Sequence, residues 1–421
     1  MNQISRIKAS GFSAERLARI DRFLETKYVG PGKLPGVQFL LARNGETVHE
    51  TVLGNRDVER GTKLTADTVF RIYSMTKPIA CVALMTLVEE GLIALDDPVA
   101  KHIPSWANLS VYSAGVGPYA TTPCARPMQV VDLLRHTSGL TYGFQSRTNV
   151  DAAYRKLKVA EAHGEYDLEG FIAQLAKLPL EFSPGEAWNY SVSTDVVGYL
   201  VQKVAGKPLS QVLAERIFGP LKMVDTGFFV REDQRGRFAA CYSASPDGAM
   251  NLQAKATGTL TLNDDPTTSP YLSAPKLESG GGGLVSTAAD YMRFANMLVN
   301  GGELDGARIL APKTVRLMAT NHLPGDKDLT ELSRSLFSES TNAGVGFGLG
   351  FAVVFDPPKT LVPCSKGEFY WGGAASTAFW VDPVEKVTAV FMTQLMPSST
   401  YPIRRELRTL VYSALMETAG G

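Results

Sequence analysis

Apolar positions at helical spacing open the chain. Leu17, Ile20, Phe23, Leu24 and Tyr28 fall on one face, so residues 13–28 read as an amphipathic helix. Two strand-like runs follow, 37–43 and 47–53, separated by Asn44-Gly45. Asn-Gly between such runs signals a hairpin, because both residues tolerate the left-handed backbone of a tight turn. The same character returns towards the other end, where 347–355, 368–371, 377–381 and 387–394 read as strands. A last helix, 403–417, carries Leu407, Leu410, Val411, Ala414 and Leu415 as its apolar positions. The middle is helical pattern and long loops, with helices predicted over 78–91, 128–136, 168–177, 192–204, 210–217 and 288–298.

Strands at both ends and helices between them predict an α+β fold. One antiparallel sheet is assembled from both ends of the chain, terminal helices pack on it, and a helical region is inserted. On this reading residues 1–80 and 285–421 form a discontinuous α/β sandwich, and residues 81–284 a mainly helical domain with long loops. Residue 74 lies at the junction, where clefts commonly form. The polar stretch 323–341 reads as a surface excursion or mobile flap.

Composition removes several classes of function. Lys plus Arg equals Asp plus Glu, 42 against 42 in 421 residues, so no net field draws in nucleic acid or an anionic membrane. Cys81, Cys124, Cys241 and Cys364 form no C-x-x-C pair, which suits a reducing compartment and argues against a zinc ribbon or disulfide framework. The five histidines, His49, His102, His136, His163 and His322, show no H-x-x-x-H or H-E-x-x-H spacing, and neither a metal nor an organic cofactor is expected. The first residues hold no apolar signal-peptide core, and the longest apolar run, 78–88, is too short to span a bilayer. A soluble, cytoplasmic protein is expected.

Candidate chemistry starts at Ser74-Met75-Thr76-Lys77. Positions i and i+3 of a helix share a face, so the lysine amine can reach the serine hydroxyl. A serine is a poor nucleophile until a base takes its proton, and a lysine serves when its surroundings draw its pKa towards neutrality. The S-x-x-K pattern also occurs at Ser5/Lys8 and Ser273/Lys276. The first of these lies ahead of any convincing helix, and the second has Pro275 inside it, which disfavours a continuous helix. Only Ser74 follows a strand-like segment, 68–73, and opens a long helical pattern, with Pro78 in the first turn and Gly91 at the stop. There it is either a nucleophile at a helix N-terminus or a plain cap with a solvated lysine.

Two further pieces can be read either way. Trp188-Asn189-Tyr190-Ser191-Val192 precedes a helix, so the Tyr190 hydroxyl can face a cleft and exchange protons, or the aromatic pair can pack under a turn. Trp371-Gly372-Gly373-Ala374 ends a predicted strand. Its glycines allow a substrate to lie against the edge, with the Ala374 and Ser74 N–H groups as an oxyanion hole; the alternative is a β-bulge.

These stretches occur in a recognisable order: Ser74-Met75-Thr76-Lys77, Leu133-Leu134-Arg135-His136-Thr137-Ser138-Gly139-Leu140, Pro184-Gly185 before Trp188-Asn189-Tyr190-Ser191, the run from Gly280 to Thr287, and Trp371-Gly372-Gly373. In that order they resemble the serine β-lactamase/penicillin-binding protein superfamily. Within it the chain is similar to the family VIII carboxylesterases, which resemble class C β-lactamases. The resemblance covers about residues 15–415. It implies a β-lactamase/DD-peptidase-like fold and a small-molecule ester as substrate. It implies Ser74 as nucleophile, Lys77 and Tyr190 as its proton-transfer partners, and Trp371, Gly372, Gly373 and Val192 beside the substrate. His136 and Ser138 are assigned to structure. No G-x-S-x-G elbow is found, which argues against an α/β-hydrolase.

Two departures point away from β-lactams. Where the lactamase pattern has an asparagine contacting the substrate amide, this chain has Val192; where it has a lysine holding the carboxylate, the chain has Trp371. Losing a hydrogen bond to a charged group weakens recognition of an anionic amide by roughly 1.5–3 kcal/mol. Esterase activity is therefore expected, with weak β-lactam turnover allowed. The rivals are a β-lactamase or D-alanyl peptidase, an acyltransferase to an alcohol, and a non-enzymatic binding protein on the same scaffold.

Overall fold

The protein is described by a computed structural model over residues 7, 9–159, 164–245, 258–334 and 342–419. Its frame is an eight-stranded antiparallel sheet drawn from both ends of the chain. The strands are β1 (Gly36–Arg43), β2 (Glu46–Asp57), β3 (Thr62–Lys63), β4 (Val345–Phe347), β5 (Ala352–Val354), β6 (Phe369–Gly372), β7 (Ala378–Asp382) and β8 (Val387–Met392). Their spatial order is β4-β5-β6-β7-β8-β1-β2-β3, so the two ends of the sequence meet at the β8–β1 seam, with Phe39 opposite Phe391. The expected hairpin is present, and both Asn44 (φ 54°) and Gly45 (φ 81°) take the left-handed backbone that its turn requires.

Alternation along β1 shows how the sheet is covered. Val37, Phe39 and Leu41 pack with Leu17, Ile20 and Leu24 of helix α1 (Ala14–Leu24). The same cluster holds Leu407 and Val411 of the C-terminal helix, Ile403–Ala414. Leu40 and Ala42 belong to the other large cluster, with Phe294 and Ala295 of the helix Ala288–Val299. Each face of β1 is therefore sealed by helices, and all eight of its residues are buried. Ser13 caps α1 by accepting from the Arg16 N–H at 3.3 Å, and the helix runs on as a wide turn over Glu25–Val29, which ends it near the expected Tyr28.

The helical layer is centred on α2 (Thr76–Glu89) and α3 (Ser193–Ala205), which pack against each other. Residues 76–87 are all buried, so the apolar run belongs to a core helix. Among the described residues no helix is long and apolar enough to cross a membrane. We number the helices Ala288–Val299 and Ile403–Ala414 α4 and α5.

Some expectations need correction. The strand expected over 347–355 is two strands, β4 and β5, folded back at residues 348–351. Gly350 has φ 107°, and a Cβ there would lie 2.7 Å from the Cys81 Cβ, so the glycine lets this edge press against α2. The mainly helical middle of the chain also holds short strands that the periodicity does not show. It contains a hairpin of Ser110–Ala114 with Ala120–Pro123, and a small mixed sheet in which Cys241–Ser243 lies between Thr261–Asp264 and Leu395–Met396. These strands have two to five residues, too few for a period to show. The stretch expected as an excursion does cover something: Leu323 and Leu329 are buried, and the Trp188 N–H donates to the Leu332 carbonyl at 3.0 Å. Its residues 335–341 lie outside the described residues, as do Ser5 and Lys8.

Candidate active site

Ser74 stands on a tight turn between the sheet layer and the helical layer. The short strand Phe70–Arg71 pairs with Val285–Ser286, and the turn Tyr73–Met75 leads directly into α2. Tyr73 has φ 42°, a conformation that a non-glycine residue adopts only when its surroundings enforce it. The enforcement is visible. The Tyr291 hydroxyl donates to the Met75 carbonyl at 2.9 Å, and the Leu284 N–H donates to Thr76 Oγ1 at 3.1 Å.

Two polar side chains meet at Ser74 Oγ. The Tyr190 hydroxyl donates to Ser74 Oγ at 2.6 Å, and Lys77 Nζ lies 3.4 Å from the same oxygen. Lys77 is 1 % exposed and also donates to Tyr142 Oη at 2.9 Å and to the Gly281 carbonyl at 2.6 Å. Its ammonium sits 4.6 Å from the centre of the Tyr190 ring and 5.3 Å from that of Tyr142, a cation held between aromatic faces. Burial, with the charge of Asp195 and the Tyr190 phenol adding to it, pushes the Tyr142 hydroxyl well above the ordinary tyrosine range.

Tyr190 is placed by its backbone. The Asn189 N–H donates to the His136 carbonyl at 2.9 Å, its amide donates to the Leu140 carbonyl at 3.0 Å, and the Gln145 amide reaches the Tyr190 carbonyl. His136 lies with its ring 5.1 Å from that of Tyr190, and its Nδ1 is 3.2 Å from Ser191 Oγ. Burial, then the Lys77 charge, holds this imidazole well below the usual histidine range, so it is a neutral packing group. Ser138 Oγ lies 2.7 Å from Ser193 Oγ, which is 2.7 Å from Ser191 Oγ, a buried hydroxyl chain behind Tyr190.

The end of β6 closes the other side. A Cβ on Gly373 would lie 2.4 Å from the Ile72 carbonyl oxygen, so only glycine lets this strand end approach the nucleophile turn. Arg404 Nη2 donates to the Gly373 and Thr377 carbonyls, both at 2.9 Å, and braces the turn containing Ala374. Trp371 spreads its ring 5.4 Å from Tyr190 and 5.3 Å from Phe347. Ser74, Tyr190, Trp371, Gly372, Gly373 and Ala374 all border one cavity of about 710 Å³, a size suited to a small organic ligand.

Of the four residues expected beside the substrate, Trp371, Gly372, Gly373 and Val192, Val192 is the one the fold places elsewhere. It is the residue before α3, fully buried among core side chains, and does not border the cavity. Sequence reasoning missed Tyr142, Asp195, Ser279 and Gly281. Tyr142 stands two residues beyond the stretch ending at Leu140, and Asp195 is an acid in the first turn of a helix whose residues 193–201 are all buried. Among the described residues no group of His, Cys, Asp and Glu could hold a metal ion.

Residues 22–413 match the Beta-lactamase family. The chain belongs to that family. Protein Rv1367c of Mycobacterium tuberculosis is 35% identical over 370 residues, 87% of each chain. Esterase EstB of Burkholderia gladioli is 28% identical over 409 residues, 95% of this chain and 96% of its own length. Among solved structures, EstCE1, described as a hydrolase with promiscuous acyltransferase activity, superposes with a TM-score of 0.78 at 24% identity, covering 98% of this chain and all of its own. The large antiparallel sheet with flanking helices is thus the fold of the β-lactamase and penicillin-binding protein family, as the sequence motifs imply.

Proposed function

We propose that this protein is a serine carboxylesterase that hydrolyses uncharged short-chain esters through an acyl-enzyme on Ser74. The observation that carries the reading is the contact of Ser74 Oγ with both Tyr190 and Lys77 at the rim of a cavity bordered by Trp371. Ser74 Oγ attacks the ester carbonyl carbon while its proton passes to the Lys77–Tyr190 pair, which enters the step one proton short, as amine with phenol or as ammonium with phenolate. The Ser74 and Ala374 N–H groups receive the developing oxyanion. As the C–O bond breaks, the proton goes to the leaving alcohol, for which Tyr190 is the donor nearest Ser74. Water then attacks the acyl-enzyme, giving a proton to the same pair, which passes it to Ser74 Oγ as the acyl–oxygen bond breaks and the acid leaves. Trp371 offers an apolar surface and no cation, which favours a neutral ester over a carboxylate-bearing β-lactam. The likeness to Esterase EstB along nearly the whole chain supports this choice.

The test compares a short-chain aryl ester with a chromogenic cephalosporin on the wild type and Ser74→Ala, with and without an added alcohol. Ester hydrolysis that vanishes in Ser74→Ala, with much slower cephalosporin turnover, is expected. Preferential cephalosporin turnover would return the protein to the lactamases, and formation of a new ester as the main product would make it an acyltransferase.

A further inference from the structure

Asp195 is a buried carboxylate that the reaction above leaves without a role. It lies in the first turn of α3 and is 1 % exposed. Its Oδ1 accepts from the Ser279 hydroxyl at 2.5 Å and from the Gly281 N–H at 3.1 Å. On the next peptide, the Gly281 carbonyl accepts from Lys77 Nζ at 2.6 Å, closer than Lys77 lies to Ser74. The glycine run makes this possible. A Cβ on Gly281 would lie 2.4 Å from Asp195 Oδ2, and one on Gly280 would lie 2.6 Å from the Thr194 carbonyl oxygen. The loop therefore lies flush on the start of α3, with the carboxylate gripping it.

We propose that Asp195 is a positioning residue: it fixes the 279–283 loop so that the Gly281 carbonyl holds the Lys77 amine beside Ser74, and it supplies the buried charge opposite that ammonium. The proposal rests on the reading of Ser74 and Lys77 as the reacting pair. The titratable groups around Lys77 are Cys81 one turn along α2, His136 and Tyr142 from the segment after Leu134, Tyr190 ahead of α3, and Asp195 on α3. Asp195 is the carboxylate of this set. Burial lifts its carboxyl above the usual range, while the Lys77 charge and the bonds from Ser279 and Gly281 pull the other way. Activity that needs the ionised carboxylate is present above that raised pKa and lost as pH falls through it.

Asparagine reproduces the shape of the protonated carboxyl. Asp195→Asn should lower kcat on the order of 10²-fold, the scale on which a misplaced catalytic group costs rate, with KM little changed. The acid limb of its kcat/KM profile that reports Asp195 should be absent. Ser279→Ala keeps the charge but removes a hydrogen bond to it, so it should move that acid limb to higher pH; this variant decides the matter if Asp195→Asn does not fold. An acid limb at the wild-type pH in Ser279→Ala, or wild-type kcat in Asp195→Asn, would overturn the proposal. Labelling of the wild type and Ser74→Ala with a serine-directed phosphonate separates the two ideas. Label on wild type alone, with the acid limb unmoved, refutes only the role of Asp195, whereas no label on wild type refutes the nucleophile.

Discussion

Replacing Tyr190 by Phe removes one oxygen from the reacting cluster and little else. The ring remains seated among aromatic neighbours, with centroids 5.1 Å from His136, 5.3 Å from Tyr142, 5.4 Å from Trp371 and 6.2 Å from Trp188. Stability should fall by about 1 kcal/mol, the net contribution of one hydrogen bond. Catalysis should fall much further. Ser74 loses its partner at 2.6 Å and keeps Lys77 at 3.4 Å, beyond the distance of a good N–H···O bond. A positioned proton-transfer group contributes about 10²–10⁴-fold, which corresponds to roughly 2.7–5.4 kcal/mol of barrier. The leaving group sharpens the test. An aryl alcohol departs without a proton, whereas an alkyl alcohol needs one, so Tyr190→Phe should cost more on an alkyl ester than on an aryl ester of the same acid. The assay is kcat on both esters, with urea unfolding to confirm the fold. A variant that keeps wild-type kcat on the alkyl ester would refute the role given to Tyr190.

Three other perturbations follow from the geometry. Val192→Asn, which restores the residue of the lactamase pattern, should place an amide in the apolar core and cost about 1–3 kcal/mol in urea unfolding, with no gain in cephalosporin turnover; a gain would mean that this position reaches the substrate. Gly373→Ala should drive a methyl against the Ile72 carbonyl and displace the nucleophile turn, costing about 1–3 kcal/mol together with most of kcat; unchanged activity would show that the β6 end is not held against Ser74. Glu368 is buried beside Arg408 and Tyr412, and burial, outweighing the Arg408 charge, lifts its carboxyl from 4.5 to about 7. A carboxyl raised in the folded state stabilises the fold fully below its unfolded pKa and loses that contribution as pH rises through about 7. The span is worth roughly 3 kcal/mol, so unfolding free energy should decline between pH 5 and pH 8 in the wild type and decline less in Glu368→Gln; equal slopes would refute it.

Much of this architecture was legible because periodicity and turn chemistry agree with the tertiary structure. Leu17, Ile20 and Leu24 share a helix face because that face lies on the sheet, and Asn44-Gly45 turns because both residues take positive φ. Ser74, Lys77 and Tyr190 were singled out from spacing along a helix and the order of several motifs, and the fold brings the three side chains together. Tyr142 and Gly281 were missed for a physical reason. Their contact with Lys77 spans 65 and 204 residues and runs through loops, where no periodicity marks which side chain or carbonyl faces inward. Val192 was misplaced because position in a motif says nothing of rotation: the turn before α3 carries its side chain into the core while Tyr190 faces the cavity. The break at Gly350 was hidden because a glycine between apolar residues is compatible with a strand until the close approach of Cys81 is known.

In the proposed reaction Ser74 carries the acyl group. Mass measurement of the intact protein within the first turnovers of a slowly hydrolysed ester tests it most directly. A transient mass increase equal to the acyl group is expected, located by peptide mapping on the segment containing Ser74, decaying at the rate of acid release and absent from Ser74→Ala. Ester hydrolysis with no acyl adduct at Ser74, or turnover that persists in Ser74→Ala, would contradict it.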